Sequence, residues 1–261
     1  MTTASNKVLA LFGPTASGKT ELLSRLFLDT DRPFPRPVVV VSADSVQVYR
    51  GLDIGAAKPD AGLKARLPHR LIDIREPSEP ISVGDYVGLA DAACEEAIRS
   101  GALPVLSGGT AFYIKAFILG LPSAPVADVR VRAELEAELA TRGQALLRAE
   151  LERVDPVSAA RIKPNDTYRL TRALEVYRSS GRPLSSYALP DRPRARWDVL
   201  PLAIDRPRAE LYARVEQRVD AMVKAGLADE LRALVAKGYG PEDPGIRSEE
   251  RRVGKECVRL C

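Results

Sequence analysis

Apolar and polar positions along this chain follow two rhythms, and the change from one to the other marks its elements. Lys7–Phe12 (KVLALF) is a continuous apolar run of strand length. Pro37–Ser42 carries four valines in succession, and such a β-branched run predicts a strand buried on both faces. Pro104–Leu106 is a third short run, and Leu71–Ile74 predicts a fourth strand. Between these runs the period lengthens to that of a helix. Glu21–Leu28, Gly84–Ser100 and Ala111–Leu119 read as helices; the second has an apolar stripe of Val87, Leu89, Ala90, Ala93, Cys94, Ala97 and Ile98. This alternation predicts a parallel sheet with helices on its faces. From Asp128 to Ser180 strand candidates disappear. Val131–Thr141, Gln144–Val154 and Asn165–Ser179 read as helices, and Asp155-Pro156 opens a short one with proline in its first turn. A strand pattern returns at Trp197–Ile204, followed by helices Arg208–Ala225 and Ala228–Lys237. The expected architecture is an α/β core of residues 1–121 and 197–261, with a helical subdomain, 122–196, inserted into it.

Composition narrows this picture in a few places. At 261 residues and 45% apolar content, the chain is long enough for one large core, or a core with a smaller companion. The net charge of +4 is a mild excess that by itself carries little weight for nucleic-acid binding. Three cysteines, Cys94, Cys257 and Cys261, form no C-x-x-C pair, and His69 is the single histidine, so a structural zinc site is not expected. Sparse, odd cysteine usage fits a reducing cytoplasm. No apolar stretch reaches membrane-spanning length, and Met1–Asn6 lacks the charged start and apolar core of a signal peptide, so no membrane partner is expected.

The chemistry concentrates at strand ends. After the first strand comes Gly13-Pro14-Thr15-Ala16-Ser17-Gly18-Lys19-Thr20, the G-x-x-x-x-G-K-T spacing of a phosphate-binding loop between a strand and a helix. Its glycines let the backbone curl so that successive N–H groups point at an anion; Lys19 adds a charge, and Thr20 offers a hydroxyl to Mg²⁺. The fold class that follows is a P-loop nucleoside-triphosphatase-like parallel sheet. The second strand ends in Asp44-Ser45-Val46-Gln47, and ligands of open α/β sheets sit at such strand ends. Three readings of Asp44 stay open on the residues alone: metal partner, general base, or N-cap. Ser107-Gly108-Gly109-Thr110 is a second glycine-rich strand end, where Thr110 is placed to cap the next helix and to donate to a substrate. Gly51–Pro59, with two glycines and Lys58 before proline, suggests a loop over the site, whereas lone His69 reads as a hydrogen-bonded structural residue.

Basic residues cluster further on. Arg161–Arg182 holds six basic and two acidic side chains, a local excess equal to that of the whole chain. Arg169 and Arg172, three apart, share a helix face that suits a phosphodiester backbone. Arg214 and Arg218, four apart, are spaced to clamp a diphosphate, since arginine forks match phosphate oxygens. A solvated, decorated surface is the plain alternative for both pairs.

The ordered set GPTASGKT, DSVQVY, GLDIGAAKP, PHRLIDI, SGGTAFYIKA and DPVSAARIKPNDTYRLTRALEVY resembles the bacterial tRNA dimethylallyltransferases, also called tRNA isopentenyltransferases, from about Lys7 to about Arg247. The resemblance implies transfer of a dimethylallyl group from dimethylallyl diphosphate to N6 of adenine 37, beside the anticodon, in tRNAs reading codons that begin with U. Mg²⁺ assists and diphosphate leaves. The phosphate loop then holds a prenyl diphosphate rather than ATP. Asp44 is the general base, with Lys19, Thr20 and Thr110 at the reacting centre, and Arg214 and Arg218 lie near the diphosphate. Asp44, Ser45, Val46 and Gln47 hold the flipped adenine and its neighbours. Arg132 and Tyr168, Arg169, Leu170, Thr171 and Arg172 contact the anticodon stem-loop. A cytoplasmic monomer is the default expectation.

The resemblance fades after Pro244-Gly245-Ile246-Arg247, where residues 248–261 read as an atypical tail of a truncated or chimeric end. Three rivals share parts of this pattern. A P-loop small-molecule kinase has the same loop and the same acidic strand end. A free-nucleotide isopentenyltransferase uses the same donor, but the basic inserted helices favour tRNA. A nucleotide-dependent RNA-binding switch shares the loop and the basic face without the chemistry.

Overall fold

In the computed structural model, residues 6–246 are described, apart from residues 30, 32, 35 and 127; the tail from Arg247 onward lies outside the described residues. The chain divides into two compact units. One comprises Met1–Gly120 and Pro193–Cys261, the other Leu121–Arg192.

The first unit begins with β1 (Lys7–Phe12), α1 (Lys19–Phe27), β2 (Val38–Ser42), α2 (Ala61–Arg66) and β3 (His69–Arg70). It continues through α3 (Val83–Arg99), β4 (Leu103–Gly108) and α4 (Ala111–Leu119). The second unit holds α5 (Val129–Arg142), α6 (Gln144–Val154), α7 (Pro156–Arg161) and α8 (Thr167–Ser180), and the chain then returns to the first through β5 (Asp198–Ala203), α9 (Arg208–Lys224) and α10 (Leu227–Ala236). The five strands form one parallel sheet in the order β3-β2-β4-β1-β5.

Alternation along the strands builds a core on each face of the sheet. Val8, Ala10, Val41 and Leu106 point to the side packed by Tyr86, Ala90 and Cys94 of α3 and Phe117 of α4. Leu11, Val40 and Val105 point to the other side, against Leu23 and Phe27 of α1. Helix α3 is started by a capping box in which Ser82 and Asp85 satisfy each other's backbone amides. In the second unit, Leu135, Leu147, Leu151, Leu170 and Leu174 are fully buried and form a core of their own.

Two local expectations change. The strand expected at Leu71–Ile74 is instead His69–Arg70, paired with β2 only through Val40 and Val41. Leu71 and Asp73 take left-handed φ values of 64° and 57°, which turn the chain out of the sheet. Helix α2 was not expected; Asp60 caps it, accepting from the Leu63 amide at 2.7 Å. The return to the first unit at Pro193 has a physical anchor. Arg194 makes a two-pronged ion pair with Asp91 of α3, at 2.9 and 2.8 Å, and the Trp197 indole donates to the same carboxylate.

Candidate active site

The register of the sheet brings three loops to one edge. Phe12 of β1 lies opposite Gly108 of β4, and Ser42 of β2 lies opposite Ser107. The phosphate loop, the Asp44 turn and the Gly108–Thr110 turn therefore leave the sheet side by side at its carboxyl edge.

The phosphate loop closes on itself. Ala16 and Gly18 both take positive φ, 63° and 97°, and Gly18 opens α1 as a left-handed cap. Lys19 folds back, and its Nζ donates to the carbonyls of Gly13 and Pro14 at 2.7 and 2.9 Å. Burial pushes the Lys19 ammonium down to about 8, with the Arg218 charge adding to the shift and the Asp44 carboxylate opposing it. Thr15 and Thr20 are exposed, and the Ser17 hydroxyl is buried without a hydrogen-bond partner among the described residues.

Arginines from the β5–α9 segment surround this loop. Arg214 Nε donates to the Ala16 carbonyl at 2.8 Å, and Arg206 Nε donates to the Ser17 carbonyl at 2.6 Å. Arg218 is half-buried, its Nε has no hydrogen-bond partner among the described residues, and it lies within electrostatic reach of Lys19 and Asp44. The sequence reading included Arg214 and Arg218 but missed Arg206. The missed signal was positional: β5 pairs with β1, and Arg206 follows the end of that strand as the phosphate loop follows β1.

Asp44 sits in a turn rather than at a helix start. Its Oδ1 accepts from the amides of Val46 and Gln47 at 2.9 and 3.2 Å, and Oδ2 makes no hydrogen bond among the described residues. Thr110 supports the same turn. Its hydroxyl does not cap α4, as its position suggested, but accepts from the Ser45 amide at 3.0 Å. Gln47 is held at both ends of its amide: Ser42 Oγ donates to Oε1 at 2.9 Å, and Nε2 donates to the Ala56 carbonyl at 3.2 Å. A small cavity is lined by Lys19, Thr20, Asp44, Gln47 and His69. His69 keeps its structural role, because its Nδ1 meets the Leu67 carbonyl at 2.6 Å, which makes that nitrogen the donor.

In the second unit, the basic helix has a divided character. Tyr168 and Arg169 are exposed, and Arg169 pairs with Asp166 at 3.3 Å. Thr171 bonds back to the Thr167 carbonyl at 3.0 Å, and Leu170 is fully buried, so its side chain faces the unit's own core. Arg172 and Arg132 both pair at 3.0 Å with Glu175, a carboxylate only 2% exposed that also accepts from the Asp128 amide. Arg172 and Arg132 thus neutralise a buried anion, a role that sequence spacing did not reveal.

Among the described residues, no group of three or more His, Cys, Asp or Glu side chains converges as a metal site, and no helix is long and apolar enough to cross a membrane. The site's donors to a cation are oxygens, the Thr20 hydroxyl and the Asp44 carboxylate on one cavity. This set fits a hard divalent ion held mainly through substrate phosphates and water.

Known proteins resemble this chain in sequence and in fold. A protein from Paracidovorax citrulli named tRNA dimethylallyltransferase is 47% identical, over 96% of this chain and 73% of its own length. The solved full-length tRNA isopentenylpyrophosphate transferase from Bacillus halodurans superposes with a TM-score of 0.58 at 35% identity, covering 97% of this chain and 80% of that one. A eukaryotic dimethylallyltransferase, solved acting on tRNA, superposes with a TM-score of 0.73 at 25% identity, covering 91% of this chain and 59% of that one. The family model for IPP transferases matches residues 47–254, and this chain belongs to that family.

Proposed function

We propose that the chain is a tRNA dimethylallyltransferase, moving a dimethylallyl group from dimethylallyl diphosphate to N6 of adenine 37 and releasing diphosphate. The observation that carries this reading is the convergence of the phosphate loop with the Asp44 turn at one sheet edge, in a chain of this family. The loop amides, Lys19, Arg214 and Arg218 face the charge that grows on the leaving diphosphate. Mg²⁺, held by Thr20 and the diphosphate oxygens, would supply further positive charge there. Asp44 takes the N6 proton as the new C–N bond forms, because the amine lone pair is conjugated with the ring and attacks poorly without a base. Thr110 holds the turn that aims this carboxylate. Ser45, Val46 and Gln47 line the adenine, which is extruded from the anticodon loop to reach the strand ends. Tyr168 and Arg169 offer an aromatic face and a cation to the tRNA; Arg132, Arg172, Leu170 and Thr171 shape the helix that presents them. The catalyst acts as a cytoplasmic monomer. A donor comparison tests the reaction class: diphosphate is released when dimethylallyl diphosphate and tRNA are both present. ATP consumption with a hydroxyl acceptor would establish the kinase reading in its place.

The fraction of Lys19 in the ammonium form falls as pH rises through about 8. Affinity for inorganic diphosphate, measured by competition against the prenyl donor and divided by that of Lys19→Met, therefore weakens above that pH, approaching roughly tenfold per unit. A ratio that stays flat from pH 7 to 9.5 would remove Lys19 from the diphosphate site. The same shift acts on folding in the opposite sense. The unfolded chain keeps the lysine proton up to its ordinary pKa of 10.5, so stability rises with pH between about 8 and 10.5. Separately, Arg169→Ala reduces the log–log salt slope of tRNA binding by roughly one. Arg172→Ala, which removes a partner of buried Glu175, appears first as a lowered melting temperature. An unchanged slope in Arg169→Ala returns that residue to the solvated surface.

A further inference from the structure

Helix α10 hydrogen-bonds to the Gly51–Pro59 loop through one side chain. Glu230 Oε2 accepts from the amides of Asp53 and Ile54, each at 2.7 Å, and Oε1 accepts from the Gly55 amide at 2.9 Å. Three consecutive backbone N–H groups converging on one carboxylate form a nest of the kind that binds anions. Here the anion belongs to the chain, supplied from about 175 residues away in sequence. The fit is close. A Cβ at Gly51 would stand 3.1 Å from Leu234 Cδ2, and one at Gly55 would stand 3.3 Å from Leu227 Cδ1, so both loop glycines let α10 approach. Leu234 is 2% exposed and packs with Val48, Tyr49, Leu52 and Ala56.

The inner side of the same loop touches the reacting centre. The Ala56 carbonyl accepts from Gln47 Nε2, and the Gln47 backbone N–H donates to Asp44 Oδ1. Lys58, whose side chain is 3% exposed, ties the loop's end to the Tyr49 carbonyl at 2.7 Å, to Asp53 at 2.8 Å and to Asp73 at 2.5 Å. The path from Glu230 to the catalytic turn therefore runs through the loop backbone and Gln47, joined by two hydrogen bonds of 3.2 Å.

We propose that Glu230 is a positioning residue for the acceptor side of the reaction. By filling the nest at Asp53–Gly55 it fixes the loop that holds Gln47, and through Gln47 the Asp44 turn. The acceptor-side assignment rests on the functional reading above; the clamp itself does not. The prenyl donor lies on the other side of the site, against the phosphate loop, whose described hydrogen bonds do not include this loop.

The test is Glu230→Ala beside Glu230→Gln, with kinetics for both substrates and hydrogen exchange at the amides of Asp53, Ile54 and Gly55. Glutamine keeps one acceptor oxygen and is the partial rescue. Glu230→Ala is expected to raise the KM for tRNA about tenfold and to leave the KM for dimethylallyl diphosphate within about twofold, with Glu230→Gln between it and the wild type. Exchange at the three amides accelerates in the same order. Unchanged exchange in Glu230→Ala overturns the clamp. Accelerated exchange with both KM values unchanged, or with both raised equally, overturns the acceptor-side role. Exchange is read without substrate, so failure of the clamp and failure of the functional reading are told apart.

Discussion

Asp44→Asn lowers kcat for prenyl transfer by about 10²–10⁴-fold, the range a positioned general base contributes, while the Kd for tRNA stays within about threefold. Asparagine is the informative replacement, because the proposed mechanism gives Asp44 two tasks that its two oxygens separate. Oδ1 accepts from the amides of Val46 and Gln47, and the asparagine carbonyl continues to do so. Oδ2 is the oxygen left to receive a proton, and an amide nitrogen in its place cannot. Alanine removes both tasks, so its loss of activity mixes a collapsed turn with a missing base. If Asp44→Asn weakens tRNA binding as much as it slows turnover, the residue is a binding contact and the base lies elsewhere. Full activity in Asp44→Asn would remove the base role outright. The measurement is single-turnover transfer with saturating donor, beside tRNA binding without donor.

Gly108→Ala is expected to damage both fold and activity, for a reason unconnected with backbone freedom. A Cβ at this position would stand 2.0 Å from the Ala43 carbonyl oxygen and 2.3 Å from its carbon. Ala43 cannot retreat, since its amide donates to the Ser107 carbonyl at 2.8 Å and its carbonyl accepts from the Thr110 amide at 3.1 Å. Making room means breaking one of these bonds, at a cost of about 3 kcal/mol or more, which corresponds to a fall in melting temperature of roughly 6–12 °C. The displaced residue is the neighbour of Asp44, so activity falls even at temperatures where the chain remains folded. Gly109→Ala is the contrast. Its Cβ would meet nothing closer than 3.7 Å, and it is expected to melt close to the wild type. Equal melting temperatures for Gly108→Ala and the wild type would show that the two strand ends do not meet as described.

The parts of this molecule legible in the sequence are those in which local pattern and tertiary role coincide. The valine run of β2 is buried on both faces of a parallel sheet, which is the environment that selects such a run. The phosphate loop is legible because its spacing encodes its own backbone shape. Leu71–Ile74 misled because Leu71 and Ile74 do pack into cores, but from a turn with two left-handed residues rather than from a strand. Burial alone does not choose between those backbones. Arg172 has a partner that helical spacing did not reveal: Glu175, on the next turn, pairs with it at 3.0 Å. Arg206 and Glu230 escaped notice because their partners are backbone groups more than 170 residues away, and no pattern in one sequence records such a bond.

One experiment tests the transfer itself. The 261-residue chain is incubated with Mg²⁺, radiolabelled dimethylallyl diphosphate and an unmodified tRNA carrying adenines at positions 36 to 38, beside the same tRNA with guanine at position 37. Label is expected on the first tRNA and none on the second, with one diphosphate released for each group transferred. Equal labelling of both tRNAs, or donor hydrolysis with no label on either, would contradict it.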